Sequence, residues 1–87
     1  MRDFEYYNNK STSNLKKHGI DFVAAQALWV DPELAELQVK SKDEQRFIVI
    51  GRIANKHWSA VITYRDSTVR IILVRRSRKN EVELYES

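Results

Sequence analysis

The sequence predicts an α+β fold: an N-terminal helical hairpin packed on an antiparallel β-meander of about four strands, closed by a short C-terminal helix. Three observations carry this reading. Apolar residues recur at helical spacing up to Trp29, then alternate with polar ones after Pro32. Three late segments are rich in Val, Ile, Phe, Trp and Tyr and are separated by loops of hairpin length. No helix-sized stretch lies between those segments, which favours antiparallel pairing over βαβ crossovers.

The elements follow in order. Phe4 to Tyr6 alternates apolar and charged residues, enough for a short edge strand. Asn8 or Asn9 can cap a helix running through Lys17, with Leu15 on its apolar side. Lys16, Lys17 and His18 complement the negative end of the helix dipole, and Gly19 supplies a left-handed cap. Asp21 is a cap for a second helix carrying Phe22, Ala25, Leu28 and Trp29, which Asp31-Pro32 stops. Leu34 to Val39 reads as a short strand and Ser41 to Glu44 as a polar turn. Strands are expected at Arg46–Ile53, His57–Arg65 and Val69–Arg76, joined at Ala54-Asn55-Lys56 and Asp66-Ser67-Thr68. Ser77–Tyr85 forms the closing helix, with Val82 and Tyr85 on one side.

A period of two assigns the strand faces. In the last strand Arg70, Ile72, Val74 and Arg76 are expected on one face, and Val69, Ile71, Leu73 and Arg75 on the other. Both faces then carry apolar residues. The helical hairpin covers one, so the second needs the C-terminal helix, a partner chain, or both.

Composition narrows the function classes. The 87 residues make one domain with a modest core. There is no cysteine, which removes disulfides and thiolate metal sites and fits a reducing compartment. No apolar run is long enough to span a bilayer, and Met1 to Tyr7 lacks the apolar stretch of a signal peptide, so a cytoplasmic protein without a membrane partner is expected. The formal charge is only +3, but it is unevenly placed. Arg46, Arg52, Lys56, Arg65, Arg70, Arg75, Arg76, Arg78 and Lys79 face Asp66 as the lone acid between residues 45 and 79. Arginines spaced along strands offer planar, always-ionised forks that suit a phosphate backbone, so the first partner to expect is a nucleic acid. His18 and His57 stand far apart without a neighbouring carboxylate motif, and there is no glycine-rich phosphate loop; neither metal nor cofactor is expected.

Several motifs taken together resemble the BrnT toxins. Phe4-Glu5, Lys10, Asn14, Lys17-His18-Gly19 and Phe22 follow the family opening, approximately F-E-W-D-x-x-K-x-x-x-N-x-x-K-H-G-x-x-F. Glu44-x-Arg46 and Ile50-Gly51-Arg52 match its E-x-R and I-G-R elements, and Thr63-x-Arg65 and Arg70-Ile71-Ile72-x-x-Arg75-Arg76 match its last two strands. Glu81, Tyr85 and Glu86 match the tail. The chain departs from the pattern at Tyr6-Tyr7, where the family has W-D, and at Leu73-Val74, where it has S-A. The resemblance implies a RelE-like fold and the toxin half of a type II toxin–antitoxin pair, cutting RNA without a metal. It also implies a small DNA-binding, BrnA-like antitoxin as hetero-oligomeric partner, with DNA reached only through that complex.

Metal-free RNA cleavage needs a base for the 2′-hydroxyl, an acid for the leaving 5′-oxygen and cations for the charged phosphorane. Arg46, Arg65, Arg70 and Arg75 are the candidate phosphate clamp, each in or at the end of a meander strand. His18, a side chain of the type suited to proton transfer near neutral pH, can act as acid or base or merely cap helix carbonyls, and Lys17 can stabilise charge or act as acid. Glu44 is a candidate base or an orienting partner for an arginine. Arg75, Arg76 and Tyr85 are candidate RNA contacts, Tyr85 by stacking on a base. His57 reads as a solvated loop residue, and Trp29 and Trp58 as core. The rival reading is a non-catalytic RNA-binding or antitoxin-binding descendant of the same fold, to which the Leu73-Val74 departure points.

Overall fold

A computed structural model describes residues 3–87. The described residues form one five-stranded mixed sheet in the order β1-β5-β4-β3-β2: β1 Asp3–Glu5, β2 Ala35–Val39, β3 Arg46–Ile53, β4 Lys56–Arg65 and β5 Thr68–Arg76. Strands β2 to β5 are the expected antiparallel meander. The correction to the four-strand picture is β1, which adds in parallel to the outer edge of β5 and sets Phe4 against Val69 and Glu5 against Arg70. Helix α1, Asn8–His18, follows β1, and helix α2, Lys79–Glu86, ends the chain.

The helical hairpin needs a second correction. Only α1 is an α-helix; Ala24–Val30 is a 3-10 segment. Val23, not the expected Asp21, occupies its N-cap position, and Asp21 stands two residues earlier with its Oδ1 accepting the Ala24 N–H at 2.8 Å. The physical reason lies in the spacing of the buried residues. Phe22, Ala25 and Leu28 are fully buried at intervals of three, which is the repeat of a 3-10 turn and not the 3.6 of an α-helix. Gly51 makes this packing possible. A Cβ there would stand 3.0 Å from Leu28, 3.1 Å from Leu34 and 3.3 Å from Asp31.

Helix α1 also differs from its expected face. Leu15 is 48% exposed, and Tyr7, not an asparagine, occupies the N-cap position. The helix docks through buried Ser11 and Asn14. Asn14 donates to the carbonyls of Ile20 and Val74 at 2.8 Å and accepts the Val74 N–H at 3.1 Å. One amide thus serves both backbone groups of a β5 residue beyond the reach of the short β1, closing an otherwise open sheet edge. Ser11 accepts the Phe22 N–H at 2.9 Å, and Gly19 ends the helix at φ 82° as expected.

The core lies between the sheet and the α1 side. Ile20, Phe22, Ala25 and Leu28 pack on Val49, Trp58, Ala60, Ile62, Val69, Ile71 and Val74. That set overturns the simple alternation expected in β5. Pairing runs Ile62 to Ile71 and then Val61 to Leu73, so Ile72 is an extra residue at a β-bulge. The bulge shifts the parity: Val69, Ile71 and Val74 share the core face, while Arg70, Leu73 and Arg75 share the other. The opposite face is covered at one end by α2, over buried Ile50 and Ser59. At its other end it is open.

Candidate nucleic-acid interface

The open end of that second face holds a pocket of about 280 Å³ lined by Tyr7, Lys10, Glu44, Arg46, Arg65, Arg70, Ile71 and Ile72. Each side chain arrives for a local reason. Thr63, buried in β4, donates its hydroxyl to the Gln45 carbonyl at 2.8 Å and so pins the start of β3, between Glu44 and Arg46. The β4–β5 register places Thr63 opposite Arg70 and Arg65 opposite Thr68, which sets both arginines on the same face. Strand β1 adds Glu5 beside Arg70, the chain between β1 and α1 brings in Tyr7, and the first turn of α1 brings in Lys10.

The electrostatics are graded. Arg70 is the most enclosed of the cations, its side chain 17% exposed, with its guanidinium 4.6 Å from the centre of the Tyr7 ring. That stacking leaves its N–H edges free to point at an anion. Glu5 Oε1 lies 3.7 Å from Arg70 and 4.0 Å from Arg65, too far for tight hydrogen bonds, and this buried oxygen accepts none from the described residues. Among the described residues, no ion pair engages Glu44 or Arg46. Lys10, Arg46, Arg65 and Arg70 outnumber the carboxylates Glu44 and Glu5, so the pocket carries a positive excess suited to a phosphodiester.

The remaining sequence candidates fall elsewhere. Lys17 and His18 line a separate pocket of about 210 Å³ with Lys10, Ser13, Asn14, Ile72 and Leu73. Arg75 is engaged under α2: its two terminal nitrogens each meet a Glu81 oxygen at 2.7 Å. Glu81 also accepts the Ser59 hydroxyl and the Arg78 N–H, both at 2.8 Å. The hydrogen bonds from Arg75 hold the Glu81 carboxyl down at about 2 although its burial pushes the other way. Arg76 lies on the core face, 5.5 Å from the Trp58 ring. The Tyr85 hydroxyl donates to Asp31 Oδ2 at 2.7 Å, and this bond pushes its pKa up to about 12. His57, expected in a solvated loop, is half-buried beneath α2, packed edge-on against Tyr85 at 5.2 Å and 3.3 Å from Glu86.

Of the nine expected site residues the pocket therefore gathers Glu44, Arg46, Arg65 and Arg70. Sequence reasoning gave no role to Glu5, Tyr7 or Lys10. A signal for Glu5 existed, since its strand alternates it with Phe4 and Tyr6 and turns it away from the core. No local pattern marks Tyr7, and Lys10 is marked only by its match to the family opening; the parallel pairing of β1 is what carries them to the site. Of the two departures from the family pattern, Val74 is buried in the core and Leu73 lies in the second pocket. Tyr7 lines the first.

A family model described as the ribonuclease toxin BrnT of type II toxin–antitoxin systems matches residues 6–81. No curated protein matches the chain.

Proposed function

The chain belongs to the BrnT family of ribonuclease toxins of type II toxin–antitoxin systems, and on that premise we propose that it is itself a metal-independent endoribonuclease working at the pocket between β1 and β3. The observation that carries this reading is the convergence of Arg46, Arg65, Arg70 and Lys10 with Glu44, which has no ionic partner among the described residues, around one cavity. A phosphodiester enters the positive end. Glu44 accepts the 2′-hydroxyl proton, the 2′-oxygen attacks the adjacent phosphorus, and the 5′-oxygen leaves with a proton from Lys10. The products are a 2′,3′-cyclic phosphate and a 5′-hydroxyl. Arg46, Arg65 and Arg70 oppose the charge that builds on the non-bridging oxygens. Glu5 sits behind Arg65 and Arg70 and orients them without saturating them.

This reading divides the carboxylates by their partners. Glu5 lies within 4.0 Å of two guanidinium groups and serves as their orienting partner, whereas no described cation pairs with Glu44. Lys17 and His18 stand beside the pocket rather than in it, so they act on RNA outside the bond being broken. A small BrnA-like antitoxin that binds DNA is the expected inhibitor, and the cytoplasm is the expected setting. Among the described residues, no helix is long and apolar enough to cross a membrane.

The test is cleavage of defined RNA by the purified chain in excess chelator, with the product ends mapped. The expected result is 2′,3′-cyclic phosphate ends, lost on adding the cognate antitoxin. RNA that stays intact while the antitoxin binds tightly would favour the second reading, an antitoxin-binding descendant without catalysis. The bulky Leu73 beside Lys17 and Tyr7 inside the pocket favour that second reading.

A further inference from the structure

The pocket beneath α1 is contiguous with the arginine pocket, because Lys10 and Ile72 line both. We propose that it is a second subsite, holding the nucleotide next to the scissile phosphate of a single-stranded RNA; this rests on reading the arginine pocket as the cleavage site. Lys10, Ser13, Asn14 and Lys17 recur at intervals of three and four, so they share the face of α1 turned toward β5. The Asn14 amide is spent on Ile20 and Val74. The polar groups left to meet a ligand are the Lys10 and Lys17 ammoniums, the Ser13 hydroxyl and the His18 ring. Half-buried Ile72 and Leu73 complete the lining with apolar surface.

This pattern suits a nucleotide. A base or ribose rests on Ile72 and Leu73 while the phosphate meets a lysine. The seven steps from Lys10 to Lys17 span about 10 Å of helix, so Lys10 borders both pockets while Lys17 reaches only the second. The bulge is what shapes the junction: Ile72 has no partner on β4 and stands between the two cavities. A base must leave its stack to reach an apolar surface flanked by a helix, as single strands permit and duplexes do not. An acidic protein segment would feel the same charge. Continuity with the arginine pocket through Lys10 and Ile72 favours the ligand that already runs there.

The experiment measures binding of 2′-O-methyl oligonucleotides, which lack the nucleophile and cannot be cut, across a range of salt. For a hexanucleotide, Lys17→Ala should weaken binding severalfold and make the plot of log affinity against log salt shallower by about 0.7, one phosphate contact. Lys17→Arg should restore the slope. A dinucleotide, whose single phosphate is the scissile one and which offers none to Lys17, should show the same slope with either protein. Equal hexanucleotide slopes for wild type and Lys17→Ala would overturn the proposal. So would an equal loss on the dinucleotide, which would return Lys17 to the scissile phosphate. A loss confined to an acidic antitoxin segment, with RNA binding intact, would assign the pocket to a protein partner and overturn it as well. Arg46→Ala tests the underlying reading separately: if it leaves hexanucleotide affinity unchanged while Lys17→Ala lowers it, the cleavage-site reading fails and with it the subsite's place beside the scissile phosphate, although the pocket beneath α1 still binds RNA.

Discussion

One face of this sheet carries arginines at both ends, and the two ends are built differently. Under α2, Arg75 meets Glu81 with two bonds of 2.7 Å, and the same carboxylate takes a serine hydroxyl and a backbone N–H. At the open end, Arg70 and Arg65 reach Glu5 only at 3.7 and 4.0 Å, and Arg46 has no described ionic partner. The residue type, strand geometry and sheet face are shared. The difference is saturation. A buried guanidinium gripped at both terminal nitrogens by one carboxylate holds structure together, whereas one left short of partners retains the capacity to bind an anion.

Four measurements break or sharpen this contrast. The largest effect is expected from Arg46→Ala combined with Arg70→Ala, which should lower cleavage by at least about 10³-fold, with the thermal melt showing the protein still folded. Unchanged cleavage by the folded double variant would move the active site elsewhere. At the other end, Glu81→Ala should cost about 3 kcal/mol of stability, because it strands Arg75 in a buried site. Cleavage per folded molecule should stay within about threefold, since Glu81 lies outside the pocket.

Acid should destabilise the fold through the saturated end. The Glu81 carboxyl titrates at about 2 in the folded chain against an ordinary value of 4.5. A depressed carboxyl contributes stability that is fully present above its unfolded value and lost as pH falls through its folded one. Denaturant melts should therefore weaken from pH 4.5 toward pH 2, by up to about 3 kcal/mol, and Glu81→Gln should flatten that dependence. A slope that survives Glu81→Gln would assign it to another carboxylate. The smallest effect is reserved for Glu5→Gln, which keeps the shape and removes the charge behind Arg65 and Arg70. Cleavage should fall about tenfold, with kcat rather than KM affected, if Glu5 only orients the arginines. A drop as deep as that of the arginine double variant would make Glu5 a participant in proton transfer.

Much of the fold was legible because its signals are local. Strand β3 falls at Arg46–Ile53 as expected, and the starts of β4 and β5 differ by one residue from their expected places. Gly19 ends α1 in the left-handed conformation that the basic turn before it predicts. The 3-10 segment was misread because a spacing of three satisfies either helix over so short a run; the close approach at Gly51 decides between them. The face of α1 was misread for a different reason. Leu15 is apolar and exposed while Asn14 is polar and buried, and only the unpaired edge of β5 explains the exchange.

For the site, the sequence by itself determined the chemistry available: an arginine-rich meander, a carboxylate just ahead of β3, and a basic helix end. Those follow from residue type and short-range periodicity. Tertiary structure alone decided which arginines meet. The bulge at Ile72 places Arg70 and Arg75 on one face and sends Arg76 to the other. The parallel docking of β1 brings Glu5, Tyr7 and Lys10 from the start of the chain to residues more than fifty positions away. The physical reason is that a strand's register depends on its partner, so a one-residue slip in pairing reverses every face beyond it.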